Sequence, residues 1–84
     1  MLSKNLLAEM NEQVKHELYS AYLYLSMAAH FEAINLGGFA KWMRVQAGEE
    51  QEHALKFFDH ILDRGGKVVL QAIDQPVVEF GSPI

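Results

Sequence analysis

Two stretches of helical periodicity, separated by a pair of glycines, constrain the fold of this chain more than any other feature. Apolar residues recur at three- and four-residue spacing between residues 3 and 35, and again between residues 39 and 62. Ser3 is a typical N-cap, and Arg64-Gly65-Gly66 places a cation before a glycine stop. Leu36-Gly37-Gly38 interrupts the periodicity, since paired glycines favour a helix C-cap and a tight turn. The pattern predicts two long helices.

The short connection predicts an all-α fold in which the two helices form an antiparallel hairpin. At 84 residues, half of them apolar, the chain has room for one core only. A two-helix hairpin buries one stripe per helix, so we expect two copies to pair as a homodimer into a four-helix bundle. We assign residues 1–66 to a helical hairpin. Residues 67–84 are assigned to an extended tail that is apolar enough to lie against another surface.

Composition and charge limit the classes of function. The formal charge of −4, without a basic cluster, argues against nucleic-acid binding. No apolar run approaches the roughly 18 residues of a membrane span, and the amphipathic N-terminus indicates no signal peptide, so a cytoplasmic protein is expected. The absence of cysteine removes disulfides, thiolate metal sites and cysteine nucleophiles. Any metal must therefore be held by carboxylates and imidazoles.

Glu50 and His53 form a carboxylate–imidazole pair on the second predicted helix. Residues three apart share one helix face, and here that face is apolar, where an ionisable pair is costly unless something compensates it. Glu17 stands in the apolar stripe of the first helix, and the antiparallel register places it level with residue 54. Tyr24, seven residues further on, lies on nearly the same face. We therefore predict that Glu17, Glu50 and His53 meet around a divalent cation.

This set of ligands is half of a di-iron site. Di-iron carboxylate bundles use a Glu-x-x-His pair from each of two helices and a single Glu from each of the other two. A two-fold axis between two hairpins would bring together two Glu17 side chains and two Glu50–His53 pairs. Carboxylate and imidazole suit iron, although the order of affinities favours zinc, and the sequence does not rank iron against zinc or manganese.

Four segments of the chain resemble the first two helices of bacterial-type non-haem ferritins. They are Glu17-Leu-Tyr-Ser-Ala-Tyr-Leu-Tyr24, Gly38-Phe-Ala-Lys-Trp-Met43, Gly48-Glu-Glu-Gln-Glu-His53 and Asp63-Arg-Gly-Gly66. The tail is similar to the start of that family's long connection to its third helix. The ligands that the family draws from its third and fourth helices are missing from this sequence.

The resemblance implies a role for each candidate residue. Glu17 matches the first-helix ligand of the ferroxidase centre, Glu50 the carboxylate that bridges two irons, and His53 the imidazole on one of them. Tyr24 matches the tyrosine beside the centre, and Glu49 an accessory ligand for a transit iron. The family oxidises Fe(II) with dioxygen or peroxide and stores Fe(III) mineral inside a multi-subunit shell. These properties imply a ferroxidase if the site assembles between two chains.

Other interpretations remain open. The chain is also consistent with a non-catalytic hairpin fragment or assembly module whose metal site is vestigial, or with an iron-binding partner without turnover. Glu49 belongs to an acidic run that suits a solvated helix face, and Tyr24 suits core packing. Trp42 is predicted to pack. The remaining histidines are predicted to lie at the surface: His16, His30 and His60.

Overall fold

The computed structural model describes residues 2–80, which form two antiparallel helices followed by an extended segment. Helix α1 spans Lys4–Ala33 and helix α2 spans Gly37–Asp63, and no strand occurs within the described range. The described chain measures 49 × 20 × 16 Å, so it is as long as one helix and only two elements thick. The prediction of an all-α two-helix hairpin is confirmed, while the last four residues of the predicted tail, 81–84, lie outside the described range.

The turn between the helices differs from the prediction at one residue. Asn35, and not a glycine, takes the left-handed conformation that ends α1, with φ of 63°. Its N–H donates to the carbonyl of Glu32, and that of Leu36 donates to Phe31. These two bonds form a Schellman motif, in which asparagine is the usual substitute for glycine. The expectation that paired glycines would cap α1 was wrong, because Gly37 already belongs to α2.

The C-terminus of α2 follows the prediction of a glycine stop. Gly65 has φ of 75°, and the N–H of Gly66 donates to the carbonyl of Ile61 at 2.8 Å. A Cβ on Gly66 would lie 2.8 Å from Cδ1 of Leu7 and 3.1 Å from Cγ2 of Ile61. A side chain here would force Leu7 to move and would crowd the carbonyl oxygen of Ile61, which lies 3.2 Å from the same Cβ position. Close packing therefore favours glycine where the chain leaves α2 against α1.

Gly66→Ala is expected to destabilise the fold, by about 1–3 kcal/mol, because the added methyl group overpacks this contact. Gly48→Ala is the matched control, since a Cβ at this helical position meets no atom of residues 2–80 within 4 Å. It is expected to stabilise the protein by up to about 1 kcal/mol through helix propensity. Urea unfolding followed by circular dichroism measures both changes, and equal midpoints for the two variants would contradict the packing argument.

The contact between the helices is a narrow seam of small residues. On α2 the buried positions recur every seven residues, at Ala40, Ala47, Ala54 and Ile61. On the facing side of α1, Ala21 and Ala28 are buried. Larger side chains gather near the free ends of the helices, where Met10, Val14 and Ile61 form the core cluster. Because alanines fill most of the seam, the helices approach closely and side chains on either side of it can meet.

The extended segment lies along α1. The buried Asn11 donates from Nδ2 to the carbonyl of Lys67 at 3.1 Å and accepts the N–H of Val69 at its Oδ1 at 2.8 Å. Further along, Ser26 Oγ donates to the carbonyl of Val77 at 2.6 Å. The described part of the tail is therefore held by specific hydrogen bonds to α1 in addition to apolar contacts.

The prediction that His30 lies at the surface was wrong. His30 is half-buried: its ring centroid lies 5.2 Å from that of Phe80 in the tail, and its Nε2 has no hydrogen-bond partner within residues 2–80. Trp42 is 57% exposed in the single chain, and its packing in a pair of chains stays a prediction. His16 and His60 lie at the surface as predicted. His30 departs from the prediction because a segment distant in sequence covers it.

Neither α1 nor α2 combines the length and the apolar character that a crossing of a lipid bilayer requires, within the part of the chain that the structure describes.

Candidate metal centre

The structure brings together Glu17, Glu50 and His53 at mid-height of the hairpin. Nδ1 of His53 lies 3.6 Å from Oε2 of Glu17 and 3.8 Å from Oε2 of Glu50. One potential ligand atom from each residue lies within 4.8 Å of the other two. Two metal–ligand bonds of about 2.1 Å span up to about 4.2 Å, so both distances to Nδ1 suit one shared ion.

The alanine seam explains why these side chains meet. Glu50 and His53 are one turn apart on α2 and so share a face. Ala54, which follows His53, and Ala21, one turn beyond Glu17, are both buried in the contact between the helices. The three functional side chains therefore lie just beside a close helix–helix contact, on one side of the hairpin.

That side of the hairpin is open. The Glu17 and Glu50 side chains are only 17% and 21% exposed, whereas His53 is 50% exposed. Phe39 lies on the same side, is 56% exposed and has its ring centroid 5.4 Å from that of Phe31. We call this surface the open face. By helical spacing from Glu17 and Glu50 it comprises, besides the three cluster residues, Tyr24, Phe31, Phe39, Met43 and Phe57.

The two carboxyl groups of the cluster perturb one another. A hydrogen bond with Glu50 lowers the pKa of Glu17; burial opposes this shift, whereas the amide of Gln13 and the ring of His53 add to it. The same hydrogen bond with Glu17 raises the pKa of Glu50, and burial and the negative charge of Glu17 raise it further. On acidification Glu50 therefore takes up a proton before Glu17, and the two groups share it.

This coupling predicts how stability of the metal-free protein depends on pH. A carboxyl group with a raised pKa stabilises the fold at low pH, and that contribution is lost as pH rises through its folded pKa. Glu17 has the opposite effect on stability, because its pKa is lowered. Its stabilising contribution is present above the ordinary pKa of a glutamate and is lost as pH falls through the lowered pKa of the folded protein. Glu50→Gln places a neutral side chain at position 50 and so removes a charge that the folded state disfavours. We therefore expect a higher urea midpoint than wild type at neutral pH, in the presence of a chelator.

The difference between Glu50→Gln and wild type should shrink as pH falls through the pKa of Glu50. Glu52→Gln, an exposed change on the same helix, is the control and should leave the pH profile unchanged. A Glu50→Gln midpoint equal to or below that of wild type at neutral pH would contradict the coupling.

Gln13 is a member of the site that the sequence interpretation missed. Its Nε2 donates a hydrogen bond of 3.0 Å to Oε1 of Glu17. The available signal was its position one turn before Glu17, where an i, i+4 side-chain pair is in reach. That spacing alone does not distinguish a functional contact from a solvated pair.

The two remaining candidates are not part of the cluster. Tyr24 is half-buried on α1, and Glu49 is exposed on α2. Glu49 still contributes to the electrostatics, since its charge is the smallest of the effects that raise the pKa of Glu50. Their roles as neighbouring tyrosine and accessory ligand stay predictions.

The donor set of the cluster fits a first-row divalent ion. Two carboxylates and one imidazole are ligand types that iron accepts, and no thiolate is present in the sequence to favour a softer metal. The cluster supplies three ligands, which is half of the four carboxylates and two imidazoles of a di-iron bundle site. A second set of ligands must face the cluster to complete such a site.

A hairpin of two long helices that carries a carboxylate–imidazole cluster on one face has the features of half a ferritin-like bundle. Residues 7–84 match the ferritin family of ferritin-like domains, and the chain belongs to this family. A bacterial non-heme ferritin of Staphylococcus epidermidis is 45% identical over 82 residues, which are 98% of this chain and 49% of that protein. One from Staphylococcus aureus is 40% identical over the same shares. The chain thus spans about half the length of the curated relatives it matches.

Solved structures agree with the sequence relatives. A structure of an open pore ferritin from the hyperthermophilic archaeon Archaeoglobus fulgidus superposes with a TM-score of 0.95 and 50% identity, covering 98% of this chain and 50% of that one. A form of the same archaeal ferritin closed by site-directed mutagenesis gives a TM-score of 0.96 at 49% identity, over 99% of this chain and 51% of that one. The described fold is therefore half of a ferritin four-helix bundle.

Proposed function

We propose that this chain binds Fe(II) and oxidises it at a di-iron site assembled between two half-bundle chains, and that the oxidised iron passes to storage. The observation that carries this proposal is the convergence of Glu17, Glu50 and His53, with Nδ1 of the histidine 3.6 and 3.8 Å from the two carboxylates. Membership of the ferritin family supports iron as the metal.

The proposed partner is a second copy of the same chain, docked on the open face. This face carries the cluster together with exposed apolar side chains such as Phe39, and an isolated hairpin of this size has little core to stabilise it. A two-fold axis through mid-height would place a second Glu17, Glu50 and His53 opposite the first set. Four carboxylates and two imidazoles then surround two ions, which completes the ligand set.

In this proposal iron is the substrate, and the protein supplies geometry and charge. Glu17 and His53 of each chain hold one ion, and the Glu50 side chains lie between the two ions. Each Fe(II) loses one electron, and the two electrons together with two protons reduce one dioxygen to hydrogen peroxide. The carboxylates compensate the additional positive charge that develops on the ions as Fe(III) forms.

Tyr24 and Glu49 have supporting roles in this proposal. Tyr24 stands seven residues beyond Glu17 and is half-buried on the open face, so it would lie beside the iron pair once the second copy covers it. Glu49 is exposed next to Glu50, which suits a residue that receives or releases iron from solvent. Pairing of the chains is what would bring both close to the metal.

Aerobic addition of Fe(II) to the purified chain tests the function directly. The expected result is rapid formation of Fe(III) absorbance with matching oxygen consumption, saturating at about one Fe(II) per chain, as two per dimer. Metal binding without oxygen consumption would instead indicate an iron-binding protein without turnover. A chain that assembles but binds no Fe(II) would support the vestigial interpretation, and either result would contradict the proposed oxidation.

A further inference from the structure

Gln13 lies outside the ligand cluster but holds one of its members. The Nε2 group of Gln13 donates a hydrogen bond of 3.0 Å to Oε1 of Glu17. The other carboxylate oxygen of Glu17, Oε2, lies 3.6 Å from Nδ1 of His53. The two oxygens of this carboxylate therefore have different surroundings, since Oε1 accepts the hydrogen bond from Gln13 and Oε2 faces His53 in the cluster.

We propose that Gln13 is a positioning residue that makes Glu17 a single-oxygen ligand, an inference that rests on the proposed iron-binding function. An N–H donor on Oε1 fixes the plane of the carboxylate and leaves Oε2 as the better ligand atom. A carboxylate that occupies one coordination position leaves another open for water or dioxygen. Partners of this kind orient metal ligands, and their loss typically costs about 10–100-fold in metal affinity.

Gln46 provides an internal comparison. It stands four residues before Glu50, just as Gln13 stands four residues before Glu17, and both glutamines are half-buried. The side chain of Gln46 makes no hydrogen bond to Glu50 within residues 2–80. Neither oxygen of Glu50 accepts a hydrogen bond from an amide group of residues 2–80. A carboxylate with two available oxygens can bridge two ions, whereas one with an oxygen held by the protein is suited to bind one.

Co(II) titration of the full chain without iron tests this role, because visible Co(II) bands weaken as the coordination number rises. Gln13→Met keeps the length and helix propensity of the side chain but removes the donor. We expect it to weaken Co(II) binding about 10–100-fold and to lower the absorbance per bound ion, since Glu17 then chelates with both oxygens. Gln13→Asn, which is too short to reach Glu17, should give the same change, while Gln46→Met should match wild type in affinity and spectrum.

The outcomes separate this inference from the function on which it rests. If wild type binds Co(II) and both Gln13 variants have unchanged affinity and spectrum, Gln13 does not position Glu17, and the proposed site still stands. If wild type itself binds no Co(II), both the proposed site and the role of Gln13 are overturned. Circular dichroism of each variant confirms that the changes compared are those of folded protein.

Discussion

Glu50→Ala and His53→Ala are each expected to slow the initial rate of Fe(II) oxidation by about 100-fold or more, because a lost ligand removes several kcal/mol of stabilisation from the oxidised metal. Glu50 should show the larger effect, since it stands between the two ions in the proposed site. Stopped-flow absorbance of Fe(III) under air measures the rate, and oxygen consumption checks that the absorbance reports turnover.

Both variants should remain folded and paired. His53 is half exposed and Glu50 makes no hydrogen bond to the backbone within the described residues, so neither truncation leaves a cavity in the core. Glu52→Ala and His60→Ala are matched controls on the same helix, with the same chemical changes at exposed positions. They should retain the wild-type rate. Unchanged oxidation in both the Glu50 and His53 variants would contradict the site.

Phe39→Glu is expected to abolish pairing of the chains, raising the dissociation constant of the dimer by about 100-fold or more, because a buried unpaired charge costs several kcal/mol. Phe39 is 56% exposed in the single chain, so the substitution should leave the hairpin itself folded. Leu70→Glu is the matched control, as Leu70 is 65% exposed on the tail and lies off the open face. Sedimentation velocity over a concentration series gives the dissociation constants.

The same variant links assembly to metal binding. Phe39 contacts Phe31 and lies near the turn, far from the cluster at mid-height of the hairpin. If the ligand set is completed by a second copy, Phe39→Glu should lose metal binding together with pairing. Leu70→Glu should retain both. Tight metal binding by a monomeric Phe39→Glu protein would show that one hairpin suffices, which would overturn the shared site.

Helical periodicity and the antiparallel register were sufficient to predict the two helices and the cluster of Glu17, Glu50 and His53. Apolar spacing located both helices to within about two residues, which is the usual uncertainty of helix ends. The antiparallel register brought Glu17 to Glu50 and His53, because a rigid helix with a regular rise leaves little freedom in which residues lie level. The cluster could therefore be predicted from sequence positions alone.

The features that were missed depend on local competition or on distant segments. Asn35 adopts the left-handed conformation that ends α1, although two glycines follow it two residues later. Asparagine and glycine both suit this position, and the sequence pattern does not show which of them will occupy it. The burial of His30 arises from Phe80, fifty residues away in sequence. The hydrogen bond from Gln13 to Glu17 depends on the side-chain conformations of both residues. Their four-residue spacing permits this bond but does not require it.

Native mass measurement with and without Fe(II) is the decisive test of a di-iron site shared between two copies, because it reports assembly size and metal content together. We expect a dimer, or a multiple of it, that gains two iron ions per pair of chains. Glu50→Ala should keep the mass of the assembly but not the iron. A monomer that binds iron, or a dimer that takes up none, would contradict a di-iron site shared between two copies.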